Sequence, residues 1–230
     1  MGQFPDSPAS APLPEPDPSL ASLASRAARG ARPEPHPREA VAAALRNPLR
    51  MLELAIAAPE RIGANIEQRA GLAGIALAFL LCGVAFAVPY GCVLELRAFW
   101  KPLALFAGST ALCLPALYVF ALYLGQRVTL PQILVLALAI PAASAAFTFG
   151  FAPILWFLRV TMHGGGTEIP WQSVSSVLLG VALVAGIVQL WRSLFASRLL
   201  SGTLLLPLVM LVWHAVFLHV FVRMFRVLEL

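Results

Sequence analysis

From residue 71 onward the chain alternates between long apolar runs and short polar breaks. A helix needs about twenty predominantly apolar residues to cross the hydrocarbon core. Five runs meet that length: Gly71–Leu94, Leu103–Leu124, Ile133–Leu158, Ser173–Trp191 and Thr203–Val222. The breaks between them carry the polar residues, as in "ELRAFWKP", "GQRVTLPQ", the glycine-rich "VTMHGGGTEIP" and "RSLFASR". Small residues recur four apart at Ala70, Gly74 and Ala78 and at Ala142, Ala146 and Gly150, which lets helix backbones approach closely in lipid. Pro89, Pro115, Pro141, Pro153 and Pro207 are expected to kink or break local helix, and a membrane bundle tolerates that.

Before the first run the pattern changes. Residues 38–70 read as amphipathic: Leu45, Leu49, Leu52 and Ile56 are spaced four, three and four apart, which aligns them on one helical face. Arg46, Arg50 and Glu53 fall on another. Asn47-Pro48 is a good helix start, and Ala58-Pro59 marks a break before a second short helix. An amphipathic, arginine-bearing helix next to a span is expected to lie in the headgroup plane; packing on the protein's own loops is the rival reading. Nine prolines in the first 37 residues predict a disordered tail that acts as a solvated tether. The expected fold is all-α: a polytopic integral membrane protein with five transmembrane helices, preceded by that tail and by interfacial helices. The divisions fall at 1–37, 38–70 and 71–230.

Composition agrees. Sixty per cent of residues are apolar and 12% charged, outside the range of soluble domains. Residues 1–70 balance eight Lys/Arg with eight Asp/Glu, so the net charge of +5 comes from the spans and their loops. Those cations flank apolar runs and form no basic stripe, so they read as headgroup anchors and no nucleic-acid partner is expected. An odd number of spans puts the termini on opposite sides. With the N-terminus inside, Arg61, Arg69, Arg127, Arg192 and Arg198 balance Arg97, Lys101, Arg159, Arg223 and Arg226. Arg46 and Arg50 tip the count toward an N-terminus in the cytoplasm. Met1 is not followed by a basic region and an apolar core, so no cleavable signal peptide is expected, which points the same way.

Candidate chemistry is sparse. "WHAVFLHVF", residues 213–221, places His214 and His219 in the last run. Five residues apart, they point about 140° from each other around an α-helix, so one metal gripped by both would need a π-bulge. No other span offers a histidine for a second haem ligand; His163 lies in the glycine-rich loop and His36 in the tail. His214 is expected to bond a backbone carbonyl or Gln189 on a neighbouring helix, and His219 to reach the interface. His214 remains a functional suspect, because ionisable groups within spans often are. The proposed spans contain no Asp or Glu, and the chain has no HExxH or Walker motif. A Ser109–His214 nucleophile–base pair is conceivable, but "AGST" is not a protease setting, and "HGGGTE" lacks a GxSxG elbow. Cys82, Cys92 and Cys113 lack CxxC spacing and read as small buried hydrophobes, with a Cys92–Cys113 bridge left open. No catalytic residue, cofactor or metal is assigned.

The stretch 100–158, with "LPALYVF" (Pro115, Tyr118), the polar turn before the third span and "FAPILWF" (Pro153), resembles bacterial members of the Yip family. These are five-span membrane proteins with a variable, often proline-rich N-terminal region, whose eukaryotic relatives interact with Rab-type GTPases. The resemblance implies a non-enzymatic scaffold, adaptor or membrane organiser, and carries no catalytic residue across. The alternatives are a transport or channel component, working as an oligomer, and an intramembrane haem or metal protein. Expected partners are the lipid bilayer, an unknown membrane or cytoplasmic protein, and a second copy of the chain.

Overall fold

A computed structural model describes residues 33–123, 125, 128–162, 171–196 and 205–228. Among the described residues the chain is all-α. Three short helices come first: α1 (Arg38–Arg46), α2 (Pro48–Ile56) and α3 (Pro59–Gln68). Five long ones follow: α4 (Leu72–Leu94), α5 (Lys101–Tyr123), α6 (Leu130–Met162), α7 (Trp171–Ala196) and α8 (Leu205–Val227). All five are long and apolar enough to cross a membrane, so the protein is a multi-pass integral membrane protein.

Local chemistry sets the short helices. Glu39 in the first turn and Arg46 in the last complement the dipole of α1. Pro48 forces Asn47 into extended backbone, which ends α1. The Asn47 side chain then accepts from the Leu49 N–H at 3.0 Å and caps α2, with Pro48 in its first turn. Pro59 stands in the first turn of α3, which has no side-chain cap and follows Ala58 in the left-handed region at φ 55°. The break at Asn47-Pro48 divides the predicted apolar stripe. Leu45 sits on α1, away from Leu49, Leu52 and Ile56, because the helical phase restarts at Asn47. The faces turned inward are Val41 and Ala44 on α1 and Met51, Leu54 and Ala55 on α2. Leu45 and Leu52 pack at the edge of the core, Ile56 is half-buried, and Leu49 is 69% exposed beside exposed Arg46 and Arg50. These helices pack on the protein's own spans, α1 and α2 on α4, α2 on α6, and α3 on α7, where the rival reading had placed loops.

The bundle is uneven. In the membrane-spanning window of α6, 72% of residues are buried, against 22% in α8. The central helix is therefore α6, packed most extensively on α4 and α7, while α8 rests chiefly on α5. Its 33 residues span about 50 Å at 1.5 Å per residue, longer than the hydrocarbon core. The helix thus extends past the predicted span Ile133–Leu158 at both ends. Likewise α8 continues through Arg223 to Val227, because long basic side chains reach the interface without ending a helix. The helices run through Pro89, Pro115, Pro141 and Pro153, and Pro207 lies in the first turn of α8. A bundle of membrane helices tolerates the missing amide donors.

The small-residue ridges act at α4 and α6, where Ala78, Ala142 and Ala146 are buried; Gly150 is exposed. A close approach of two spans lies elsewhere. A Cβ on Gly186 of α7 would collide with Ser144 Oγ and lie 2.7 Å from the Ile140 carbonyl of α6. All three cysteines are free, so no Cys92–Cys113 bridge forms.

Candidate functional site

Polar side chains of the described residues gather at one end of the bundle, where α1–α3 form a cap. Asn65, fully buried on α3, receives the His36 N–H on Oδ1 at 2.7 Å. Its Nδ2 donates to the carbonyls of His36 at 3.2 Å and Ala70 at 3.0 Å. The end of the predicted tail is therefore fastened to α3 at His36. Proline bars it from a helix but leaves its extended backbone free to bond a side chain. Residues 1–32 lie outside the described residues.

Two glutamines fasten the cap to the spans. Gln132, in the first turn of α6, donates to the Ile66 carbonyl at 2.7 Å, while its Oε1 accepts from the Thr129 amide and hydroxyl. Gln189 on α7 donates to the Ile56 carbonyl at 2.6 Å and to Ala55 at 3.3 Å. The last carbonyls of an α-helix lack intrahelical donors. Each glutamine supplies one, to the end of α3 and of α2. An exposed Arg192–Glu60 pair at 3.5 Å adds little. At the opposite end of the bundle Arg159 of α6 plays a similar part, donating to the Val93 and Leu94 carbonyls that end α4.

The sequence offered His214 a backbone carbonyl or Gln189, and Gln189 bonds the end of α2 instead. His214 Nδ1 lies 2.6 Å from the Met210 carbonyl of its own helix, so the backbone alternative is the one realised. Its ring stacks on Trp191 and meets the edge of Trp213, and Nε2 is buried without a hydrogen-bond partner. His219 is exposed, on a different side of α8 from half-buried His214. The inward face of α8 belongs to Met210, Trp213, Phe217 and Phe221. Trp213 Nε1–H donates to the Cys113 carbonyl of α5 at 2.9 Å, a bond that sequence reading missed. Tyr90 of α4 likewise donates to the Ser175 carbonyl of α7 at 2.8 Å. Ser109 faces Met224 Sδ at 3.5 Å and does not pair with His214. His163 and the glycine-rich loop lie outside the described residues. Among the described residues no three of His, Cys, Asp and Glu converge as metal ligands.

Within the cap, His36, Arg50, Glu53, Leu54 and Arg61 line a cleft of about 520 Å³. Arg50 and Glu53 form an exposed ion pair at 2.8 Å. Burial holds the His36 imidazole below its ordinary pKa; the Arg61 cation lowers it further and Glu53 opposes both. His36 Nε2 is buried and unpartnered. No protein-family model matches this chain, and no curated protein or solved structure shows significant similarity to it.

Proposed function

We propose that this chain is a non-enzymatic membrane scaffold or adaptor of the Yip-like kind, with its N-terminus in the cytoplasm. One observation carries the reading: the cap of α1–α3 is clamped to the spans by Gln132 and Gln189, yet turns Arg46, Leu49 and Arg50 outward. A rigidly held exposed face mixing an aliphatic side chain with arginines suits the headgroup plane and a protein docked there. Within the spans, Tyr90, Gln189 and Trp213 direct their donors at backbone carbonyls of the same protein, which suits packing better than a substrate path. The five-span layout behind a separate N-terminal region supports the Yip-like reading.

The test is capture from native membranes in mild detergent, comparing the natural chain with Leu49→Asp/Arg50→Asp. A partner retained by the first and lost by the second is the expected result. Purified protein reconstituted alone and catalysing solute or ion flux would favour transport instead. A Soret band, or stoichiometric metal lost on His214→Ala, would establish the haem or metal alternative. A reporter fused to the N-terminus reads the orientation.

A further inference from the structure

We propose that the cap cleft is a binding site for a phosphate group, with the guanidinium groups of Arg50 and Arg61 and the Nε2 of His36 as its donors. The site stands independently of the adaptor reading, because it rests on the cleft alone. The three donors come from three segments: His36 from the segment before α1, Arg50 from α2 and Arg61 from α3. Asn65 fixes the first by bonding both the N–H and the carbonyl of His36, so the imidazole is held by its own backbone. Arg61 forms no ion pair among the described residues. Arg50 is engaged by Glu53 at 2.8 Å, so one carboxylate faces two guanidinium groups and the cleft is left with net positive charge. The His36 ring lines the cleft with its Nε2 unpartnered and closed off from solvent, so a ligand oxygen satisfies that atom once the ring turns toward the cleft. Guanidinium groups suit phosphate oxygens because their planar donors bind two at once.

The volume, about 520 Å³, is ample for a phosphate with its ester substituent. The cap adjoins the start of α4 and α6 and the end of α7, so the cleft lies near headgroup level. The phosphate can belong to an anionic lipid or to a soluble ester. The groups that face His36 are Arg61 from α3 and Glu53 from α2. A phosphate beside them favours the imidazolium that burial and Arg61 disfavour in the empty cleft, so binding takes up a proton.

The test titrates full-length protein in neutral detergent with phosphatidylglycerol, phosphatidylcholine or inorganic phosphate, and reads apparent affinity from the ligand-induced rise in melting temperature. Phosphatidylglycerol is expected to bind saturably. Arg61→Gln should weaken it about tenfold and Arg50→Gln/Arg61→Gln about a hundredfold, one charge-assisted bond at a time. Glu53→Gln should tighten it several-fold, because it frees Arg50. Arg223→Gln/Arg226→Gln, at the other end of the bundle, should change nothing. Lowering the pH from about 7.5 to about 5.5 should tighten binding of the phosphodiester, whose charge is constant there, and His36→Gln should remove that dependence. Inorganic phosphate binding with the same variant pattern identifies a soluble ester as the source, and lipid binding alone identifies a headgroup. The melting temperature of each variant without ligand verifies that it folds. The proposal is overturned if neither probe binds or phosphatidylcholine binds equally well. It is overturned equally if the Arg50/Arg61 variant binds like the natural chain, the distal variant loses as much, or Glu53→Gln weakens binding.

Discussion

Replacing Gln189 with leucine removes the donor that ends α2 while keeping nearly the same volume. Gln189 is buried, and its Nε2 lies 2.6 Å from the Ile56 carbonyl and a weaker 3.3 Å from that of Ala55. A neutral hydrogen bond contributes about 1 kcal/mol net, and a buried carbonyl left without a donor costs about 1–3 kcal/mol. Opening the cap admits water to that carbonyl and limits the second term. We therefore expect a local loss of between about 1 and 2 kcal/mol, which multiplies the open population of the cap by about 5–30. Hydrogen exchange resolves this by segment: amides in 48–68 should exchange faster by that factor, while those of α6 stay unchanged. Gln189→Asn tests reach, because it keeps the donor on a side chain one methylene shorter. It should exchange nearly as fast as the leucine variant. Unchanged exchange in 48–68, or equal acceleration throughout α4–α8, would refute the assignment of Gln189 as a clamp.

Asn65→Ala removes three bonds at a fully buried site and should cost about 1–3 kcal/mol, seen as rapid proteolysis of the segment before α1. A chain starting at residue 38 should show the same loosened α3, and one starting at residue 33 should not. The depressed folded pKa of His36 makes stability greatest above the ordinary value of 6.5, with loss as pH falls through the lowered folded value. Without anion, the cap should become more protease-sensitive on mild acidification, and His36→Gln, which spares the backbone bonds to Asn65, should flatten that response. Trp213→Phe should lower thermal stability by about 0.5–1.5 kcal/mol through loss of the bond to Cys113. His214→Ala should cost less than Trp213→Ala, and exposed His219→Ala least, in the same melting assay.

The spans were legible because runs of this length without Asp or Glu have one stable solution in lipid. Their ends were harder to place: α6 outruns its apolar core because Pro131, Gln132 and Arg159 stay helical where a hydropathy boundary would stop. The breaks at Asn47-Pro48 and Ala58-Pro59 were readable from local sterics. The apolar stripe was misread because the period was counted across Asn47, where helical phase is lost. Gln189 stood out as an amide in an apolar run, but its partner lies 133 residues away on an element whose docking no local pattern encodes. Gln132 and Asn65 carried the weaker signal of single amides near span ends. His36 was assigned to a tail because composition describes a segment and says nothing of the two bonds between its backbone and Asn65.

The two glutamine clamps also impose an order of events. Helices α2 and α3 leave the ribosome before Gln132 and Gln189 exist, so their terminal carbonyls stay hydrated while the later spans are synthesised. Gln132 arrives with α6 and closes α3; Gln189 arrives with α7 and closes α2. A chain arrested after α5 has neither clamp and presents an open, protease-accessible cap. The cap is thus a built-in report, at the surface, that the fourth span has reached its place.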